Sequence, residues 1–193
     1  LGLATPMSIG VAIGKGAGAG VLIKSAEALE HMEKVNTLVV DKTGTLTEGK
    51  PRVTAVVPAA GLSENELLPL AASLERSSEH PLAAAIVTAA KDRGATTQEP
   101  TDFASVTGKG VTGKIGGMSV APGNAKLMAD LGISFGDLEK KADSLRGDGA
   151  TALFLAIDGK PGGVIAIADP IKATTEAALE SLRSYGVRIV MLT

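Results

Sequence analysis

The 193-residue sequence contains no cysteine and no tryptophan, and aromatic residues make up only 2% of it. The lack of cysteine excludes a disulfide framework, a thiolate metal site and a cysteine nucleophile. The two histidines, His31 and His80, are too few for an all-histidine zinc site. With so few aromatic residues the core must be aliphatic, and aromatic stacking on nucleic-acid bases is largely excluded.

An excess of charge of one sign is also lacking, because 19 Lys and Arg residues face 21 Asp and Glu residues, for a formal net charge of −2. Without a broad basic surface, we expect no nucleic-acid partner. Apolar residues make up 45% and charged residues 21% of the chain, which is typical of a globular protein rather than a disordered one. The length suits one ordinary domain or two small ones.

The two ends of the chain are unusual. Residues 1–14 carry no charge, and a glycine-rich run, GKGAGAG, follows at 14–20. The uncharged stretch is too short to span a bilayer and lacks the basic segment of a signal peptide, so it is either a buried element or the end of a membrane helix. We interpret the glycine-rich run as a flexible connector. The chain stops directly after the apolar run VRIVML at 187–192, which indicates a fragment of a longer protein.

The pattern of elements predicts two interleaved parts. TLVVD at 37–41 and VRIVML at 187–192 have the unbroken apolar character of buried parallel strands, and a helix is predicted at 172–184. Between them, residues 51–168 give about six strands joined by hairpins and paired helices. The sequence therefore predicts a discontinuous α/β domain with an inserted α+β domain that contains an antiparallel sheet of about six strands. Because ligands sit beyond the carboxyl ends of parallel strands, Asp41 and Thr193 are expected at one site.

The segment DKTGTLT, Asp41–Thr47, contains the candidate catalytic residues. An aspartate at the end of a buried strand, entering a turn of glycine and threonine, can attack phosphorus and hold an acyl phosphate. The turn's backbone N–H groups, with Lys42 and the Thr43 and Thr45 hydroxyls, can cradle the transferred group. Taken alone, such an aspartate could also be a strand terminator or a helix cap.

DKTGTLT is similar to the phosphorylation signature of P-type ATPases, within the wider haloacid dehalogenase-like class of aspartate phosphotransferases. Simple phosphatases of that class carry a second aspartate two residues after the nucleophile, where it acts as general acid and base. This chain has Thr43 at that position. Loss of the acid and base should slow hydrolysis of an aspartyl phosphate, which favours a pump over a phosphatase.

The resemblance extends over the whole chain and points to the heavy-metal subgroup. LGLATP at 1–6 is similar to the segment after the Cys-Pro-Cys ion site of copper-transporting members, and it differs from the usual zinc and cadmium pattern. DPIK at 169–172 resembles the family's hinge motif, and the final MLT resembles the start of its Thr-Gly-Asp motif. Three segments resemble parts of the subgroup's nucleotide domain: SEHPLA at 78–83, GKGVTG at 108–113 and GNAKLM at 123–128.

The resemblance implies a haloacid dehalogenase-like, Rossmann-like phosphorylation domain that is incomplete in this chain, interrupted by a nucleotide-binding domain. The implied segments are the end of a membrane helix with a connector at 1–32, the first part of the phosphorylation domain at 33–50, the nucleotide-binding domain at 51–168, and the continued, truncated phosphorylation domain at 169–193.

The resemblance also assigns candidate site residues. The phosphorylation site would comprise Asp41 as nucleophile with Lys42, Thr43 and Thr193, and Mg²⁺ would bind a carboxylate oxygen of Asp41 and the backbone carbonyl of Thr43. Nucleotide binding would involve Glu75 on the purine edge, His80 against the adenine, Gly108, Gly110 and Asn124, with Asp169 at the hinge between domains. From the residues alone, His80 could instead cap a helix, and GKGVTG could be a plain hairpin. Glu75 and His80 can meet only if residues 76–79 turn.

These resemblances imply the ATP-binding and phosphorylation segment of a P-type ATPase that exports Cu⁺ or Ag⁺ through an aspartyl phosphate. ATP and Mg²⁺ are the implied cofactors. The implied partners are ATP or ADP, the missing transmembrane and actuator domains, and a metal cation bound elsewhere. The segment would lie on the cytosolic side of a membrane protein and would not turn over ATP steadily on its own. The alternatives are a stand-alone nucleotide-binding module without turnover and a soluble aspartate-dependent phosphatase.

Overall fold

The computed structural model describes residues 4–192 and divides the chain into two compact units. One unit comprises the chain up to Lys42 together with the chain from Ala173 onward, and the other is Thr43–Lys172. This is the predicted arrangement of an outer α/β part interrupted by an inserted part.

The outer unit is built around two parallel strands. Strand β1 (Thr37–Asp41) pairs with β8 (Arg188–Leu192), in register from Thr37 opposite Arg188 to Asp41 opposite Leu192. The parallel pairing of these two segments was predicted and is confirmed. The helices of this unit are α1 (Ala4–Gly18), α2 (Ala26–Glu33) and α7 (Thr175–Ser184).

Helix α1 corrects the interpretation of the glycine-rich run. The helix continues to Gly18, so a flexible connector over 14–20 is wrong for most of that run. The helix ends where Gly20 takes a positive φ of 78° and the Val21 N–H donates to the Gly16 carbonyl at 2.8 Å, a closing turn that satisfies its last carbonyl groups. Among the described residues, no helix is long and apolar enough to cross a membrane.

The inserted unit contains a six-stranded antiparallel sheet, as predicted, with the strand order β2-β7-β6-β5-β4-β3. The hairpin between β6 and β7 turns at Asp158 and Gly159, which have φ values of 47° and 72° and so form the turn that the Asp-Gly pair predicted. The strands are β2 (Arg52–Pro58), β3 (Thr101–Val106), β4 (Gly110–Ile115), β5 (Met118–Gly123), β6 (Thr151–Ile157) and β7 (Lys160–Ala168).

Helices cover both faces of this sheet and bury an aliphatic core. Helices α3 (Glu64–Glu75) and α4 (Pro81–Asp92) pack on one face, where the fully buried side chains include Leu67, Ile86 and Ile165. Helices α5 (Ala125–Asp130) and α6 (Asp137–Gly147) pack on the other face around a smaller cluster. The larger cluster is mainly aliphatic, as the low aromatic content led us to expect, whereas Phe135 and Phe154 pack edge to face in the smaller one.

The turn that precedes β2 belongs to the inserted unit, because it is hydrogen-bonded to the chain that follows β7. Thr47 forms an isolated antiparallel bridge with Ile171, the Lys172 N–H donates to the Leu46 carbonyl at 3.0 Å, and the Glu48 N–H donates to the Pro170 carbonyl at 2.8 Å. These bonds join the first and last segments of the unit, residues 46–48 and 170–172.

Candidate functional site

A cavity of about 300 Å³ opens where α3 ends and α4 begins, beside the β3–β4 turn. It gathers five of the six residues that the sequence grouped with nucleotide binding, namely Glu75, His80, Gly108, Gly110 and Asn124. A larger cavity of about 410 Å³ beside Phe135 and Phe154 contains none of them. Residues far apart in the sequence therefore share one pocket of the inserted unit.

Glu75 is the last residue of α3, and its side chain is only 7% exposed. Burial raises the pKa of its carboxyl group, and a hydrogen bond from Ser78 opposes that shift. A buried carboxyl group in a cavity wall favours its neutral form, which can both donate and accept a hydrogen bond.

His80 is the N-cap of α4. Its Nδ1 accepts a hydrogen bond from the Leu82 N–H at 3.2 Å, and Pro81 occupies the first helical position. The bond occupies Nδ1, so a ligand would meet the Nε2 edge or the ring face. Residues 76–79 form the expected turn, in which the Ser78 N–H donates to the Glu75 carbonyl at 2.9 Å, and both side chains reach the cavity.

The segment GKGVTG forms the β3–β4 hairpin and also a wall of the cavity, so the two sequence interpretations describe one structure. Gly108 has a φ of 68° in the turn. Gly110 has a φ of 150°, and a Cβ there would lie 2.6 Å from the Cα of Gly123 on the adjacent strand β5. The close approach of β4 and β5 therefore requires glycine at position 110.

Asn124 connects the glycine turn to α5. Its Nδ2 donates to the Gly108 carbonyl at 2.8 Å, and its Oδ1 accepts from the N–H groups of Lys126 and Leu127 at 3.0 and 3.1 Å. The side chain therefore shapes the cavity by fixing its glycine wall, in addition to any contact with a ligand.

Asp41 is the last residue of β1 and is exposed, as expected of a nucleophile at the carboxyl end of a parallel strand. Its predicted neighbour, Thr193, lies outside the described residues. Lys42 opens the turn Lys42–Leu46 that follows the strand.

In the inserted unit, the continuation of this turn is held by side chains. Thr43 is extended, with φ −76° and ψ 122°, and Gly44 has a φ of 76°. The Gly44 N–H donates to Thr47 Oγ1 at 3.2 Å, and the Lys172 ammonium donates to the Gly44 carbonyl at 2.7 Å. A positive side chain thus lies directly on the turn of the DKTGTLT segment.

Asp169 does not line this cavity, although the sequence interpretation grouped it with the other candidate nucleotide-binding residues. Its carboxylate accepts hydrogen bonds from Thr47 Oγ1 at 2.5 Å, from the Gly49 N–H at 3.0 Å and from the Lys50 N–H at 2.9 Å. The contacts place it where the chain enters and leaves the inserted unit.

Two residues in these sites were missed from the sequence. Lys109 lines the cavity, and Lys172 contacts Gly44. Both lie inside motifs that the sequence had already singled out, because Lys109 stands between Gly108 and Gly110 and Lys172 is the last residue of DPIK.

The family model of the haloacid dehalogenase-like hydrolases matches residues 35–193. Three curated relatives match along the full 193 residues: a copper-transporting P-type ATPase of Rhizobium leguminosarum bv. viciae at 55% identity, a copper-exporting P-type ATPase of Legionella pneumophila at 55%, and a silver-exporting P-type ATPase of Salmonella typhimurium at 52%. The chain spans about a quarter of their length, 23%, 26% and 23% respectively.

Solved structures show the same similarity. A zinc-transporting PIB-type ATPase in an E2.Pi state matches 98% of this chain and 30% of its own, with TM-score 0.80 and 35% identity. The catalytic domain of the CPx-ATPase CopB-B, studied upon nucleotide binding, matches 88% of this chain and 58% of its own, with TM-score 0.63 and 29% identity. The isolated N-domain of HMA8, a copper-transporting P-type ATPase, matches 61% of this chain and 98% of its own, with TM-score 0.51 and 30% identity.

Proposed function

Because this chain belongs to the haloacid dehalogenase-like hydrolases and is homologous along its full length to copper- and silver-transporting P-type ATPases, we propose that it is the nucleotide-binding and phosphorylation segment of such a pump. The observation that carries the proposal is the DKTGTLT segment, whose aspartate stands exposed at the end of a parallel strand. The relatives transport copper or silver, which favours Cu⁺ or Ag⁺ as the transported ion, bound outside this chain.

In the proposed reaction, a carboxylate oxygen of Asp41 attacks the γ-phosphorus of ATP. The new bond is an acyl phosphate, the bond from the γ-phosphorus to the bridging oxygen breaks, and ADP leaves with the electron pair. The Asp41 carboxylate and the Thr43 carbonyl are hard oxygen donors of the kind that Mg²⁺ prefers, and they would hold that ion. When bound, Mg²⁺ offsets the charge on the transferred phosphoryl group.

Thr43 separates this reaction from that of a phosphatase. Two residues after the nucleophile, a phosphatase of the same class needs a group that takes a proton from water. A threonine hydroxyl does not ionise in the working pH range, so it cannot serve as that base. The aspartyl phosphate would consequently persist long enough to drive a conformational step. Of the alternatives, a soluble aspartate-dependent phosphatase is therefore disfavoured.

The cavity of the inserted unit would bind the adenine end of ATP. Glu75 would present its buried carboxyl group to the purine edge and His80 its ring, and Gly108 and Gly110 place no side chain beside them. Asn124 holds that turn in place through the Gly108 carbonyl. In the whole pump this segment would face the cytosol and work with transmembrane and actuator domains.

Titration calorimetry on the 193-residue chain tests nucleotide binding. We expect ATP and ADP to bind, and His80→Ala to weaken binding by about five- to thirtyfold, the equivalent of about 1–2 kcal/mol for one lost ring contact. Asp41→Asn should leave binding unchanged, since Asp41 belongs to the phosphorylation site. Loss of binding in Asp41→Asn but not in His80→Ala would contradict the assignment.

A chimera distinguishes a pump segment from a binding module without turnover. This chain replaces the matching segment of the Legionella pneumophila relative, with which it shares 55% identity over 193 residues. We expect the chimera to restore copper tolerance to cells that lack their own exporter, and the Asp41→Asn chimera to fail. Nucleotide binding by the chain without restored tolerance, at equal expression, would support the binding-module alternative.

A further inference from the structure

Lys109 has a special position in the nucleotide cavity. Among the described residues that line the cavity, it is the only lysine or arginine. Its backbone is fixed on both sides, because its N–H donates to the Val106 carbonyl at 2.9 Å and its carbonyl accepts from the Asn124 N–H at 2.8 Å. The side chain is therefore carried by a rigid turn.

The ammonium group of Lys109 forms an ion pair with Asp130, the last residue of α5. The pair lies near the surface, with side-chain exposures of 34% for the lysine and 52% for the aspartate. Ion pairs this exposed are weak because water screens them, so a more highly charged anion can displace the carboxylate. A polyphosphate carries several negative charges and strong acceptor oxygens.

We propose that Lys109 binds the phosphate groups of a nucleoside di- or triphosphate in this cavity, and that Asp130 competes with those phosphates for the same ammonium group. The inference rests on the proposed nucleotide site and extends it. Contacts to the base alone would give adenosine and ATP equal affinity. A lysine in the cavity wall instead makes the site prefer the charged nucleotides. Asp130 limits that preference, because the ion pair must break before the phosphates bind.

The test is calorimetry of the full 193-residue chain with ATP, ADP and adenosine, without added metal ion. Lys109→Gln should weaken ATP and ADP binding by about three- to tenfold and leave adenosine binding unchanged. Lys109→Arg should retain ATP binding, because it keeps the charge. Asp130→Asn should tighten ATP binding by about twofold or more and leave adenosine binding unchanged.

A matched pair on α6 supplies the control. Lys140 and Asp137 also form an ion pair, at 3.1 Å, and neither lines the nucleotide cavity. Lys140→Gln and Asp137→Asn make the same charge changes and should not alter ATP binding. Circular dichroism melts of all variants verify that each is folded.

The outcomes separate the two proposals. If Lys109→Gln weakens ATP and adenosine equally, or changes neither, the Lys109 inference is overturned. The same holds if Asp130→Asn fails to tighten ATP binding, or if the α6 controls reproduce the effects. If the wild-type chain binds both ligands and His80→Ala weakens both while Lys109→Gln has no effect, the nucleotide site stands and only this inference fails. If the wild-type chain binds neither ATP nor adenosine, the nucleotide site itself is wrong.

Discussion

At the scale of the residue, Glu75 is a buried carboxyl group whose position disfavours its ionised form in the folded state. Its carboxyl group is buried at the end of a helix, where ionisation is unfavourable, and burial raises its pKa. A glutamine would pack in the same volume without a charge. We infer that a carboxyl group is placed here for its contact with a ligand and not for folding.

This interpretation predicts a pH-dependent difference in stability between the wild type and Glu75→Gln. With a raised pKa, the folded state is stabilised by protonated Glu75 below the ordinary glutamate pKa of about 4.3, and that stabilisation is lost as the pH rises through the raised value. Glu75→Gln should therefore melt at a higher temperature than the wild type near neutral pH. Calorimetric melting curves recorded across the acid range should show the gap closing below that ordinary pKa.

Glu66, on the same helix, is the control with the opposite sign. Hydrogen bonds from the Ser63 hydroxyl and N–H lower the pKa of its carboxyl group. Its stabilising contribution is present above the ordinary glutamate pKa and is lost as the pH falls through the lowered value. Glu66→Gln should therefore lower the melting temperature near neutral pH. A Glu75→Gln variant that melts at the wild-type temperature at every pH would contradict the account.

At the scale of the element, Asp169 holds the turn that leads into the inserted unit. Three donors converge on its carboxylate, two of them the backbone N–H groups of Gly49 and Lys50. Lys172, three residues later, donates to the Gly44 carbonyl of the same turn. Two residues of the DPIK segment, Asp169 and Lys172, are therefore hydrogen-bonded to Thr47 and Gly44 of the DKTGTLT segment.

Asp169→Asn should loosen this turn without unfolding the sheet. An asparagine offers one acceptor oxygen in place of two, so at least one of the two backbone N–H groups loses its partner. Hydrogen bonds to charged groups contribute about 1.5–3 kcal/mol, so amide exchange there should accelerate about tenfold or more. Exchange measured by NMR at Gly49 and Lys50 provides the readout. The exposed residue Asp148, changed to Asn, is the control, and unchanged exchange in Asp169→Asn would refute the role.

The sequence predicted the elements well where the signals are local. The capping box at Ser63 and Glu66, the proline that begins α4 and the Asp-Gly hairpin each lie within a few residues of the feature they specify. Helix α1 was the exception, since the glycines at 14–18 lie in the helix rather than ending it. Glycine lowers helix propensity without forbidding a helix, and the terminating bonds form only at Gly20 and Val21.

Contacts between distant residues could not be predicted in this way. Asp169 bonds Thr47 across 122 positions and Lys109 pairs with Asp130 across 21, and no local pattern encodes either separation. The gathering of Glu75, His80, Gly108, Gly110 and Asn124 was expected only through resemblance to a family. In the structure these five residues line one cavity of the inserted unit.

At the scale of the whole molecule, the two units differ in how much apolar surface they bury. Every buried hydrophobic residue that the structure describes lies in the inserted unit, between Val56 and Ile167. In the outer unit β1 and β8 pair with each other, and Val39 and Val190 on them are 55% and 38% exposed. A two-stranded sheet without a buried face is marginally stable in water.

We therefore expect the two units to differ in local stability. In hydrogen exchange followed by mass spectrometry, β1 and β8 should exchange near the rate of an unprotected chain, while β6 and β7 should exchange only on global unfolding of their unit. ATP should slow exchange around the cavity of the inserted unit and leave β1 unaffected. Equal protection of β1 and β7 would show that the outer unit has a stability that its burial does not explain.

The central claim is that Asp41 accepts the γ-phosphoryl group, and trapping the phosphorylated protein tests it most directly. The chimera with the Legionella pneumophila relative is incubated with γ-labelled ATP, quenched in acid and treated with hydroxylamine, which cleaves acyl phosphates. We predict an acid-stable label that hydroxylamine removes and that is absent from the Asp41→Asn chimera. A hydroxylamine-sensitive label that persists in Asp41→Asn would contradict the account.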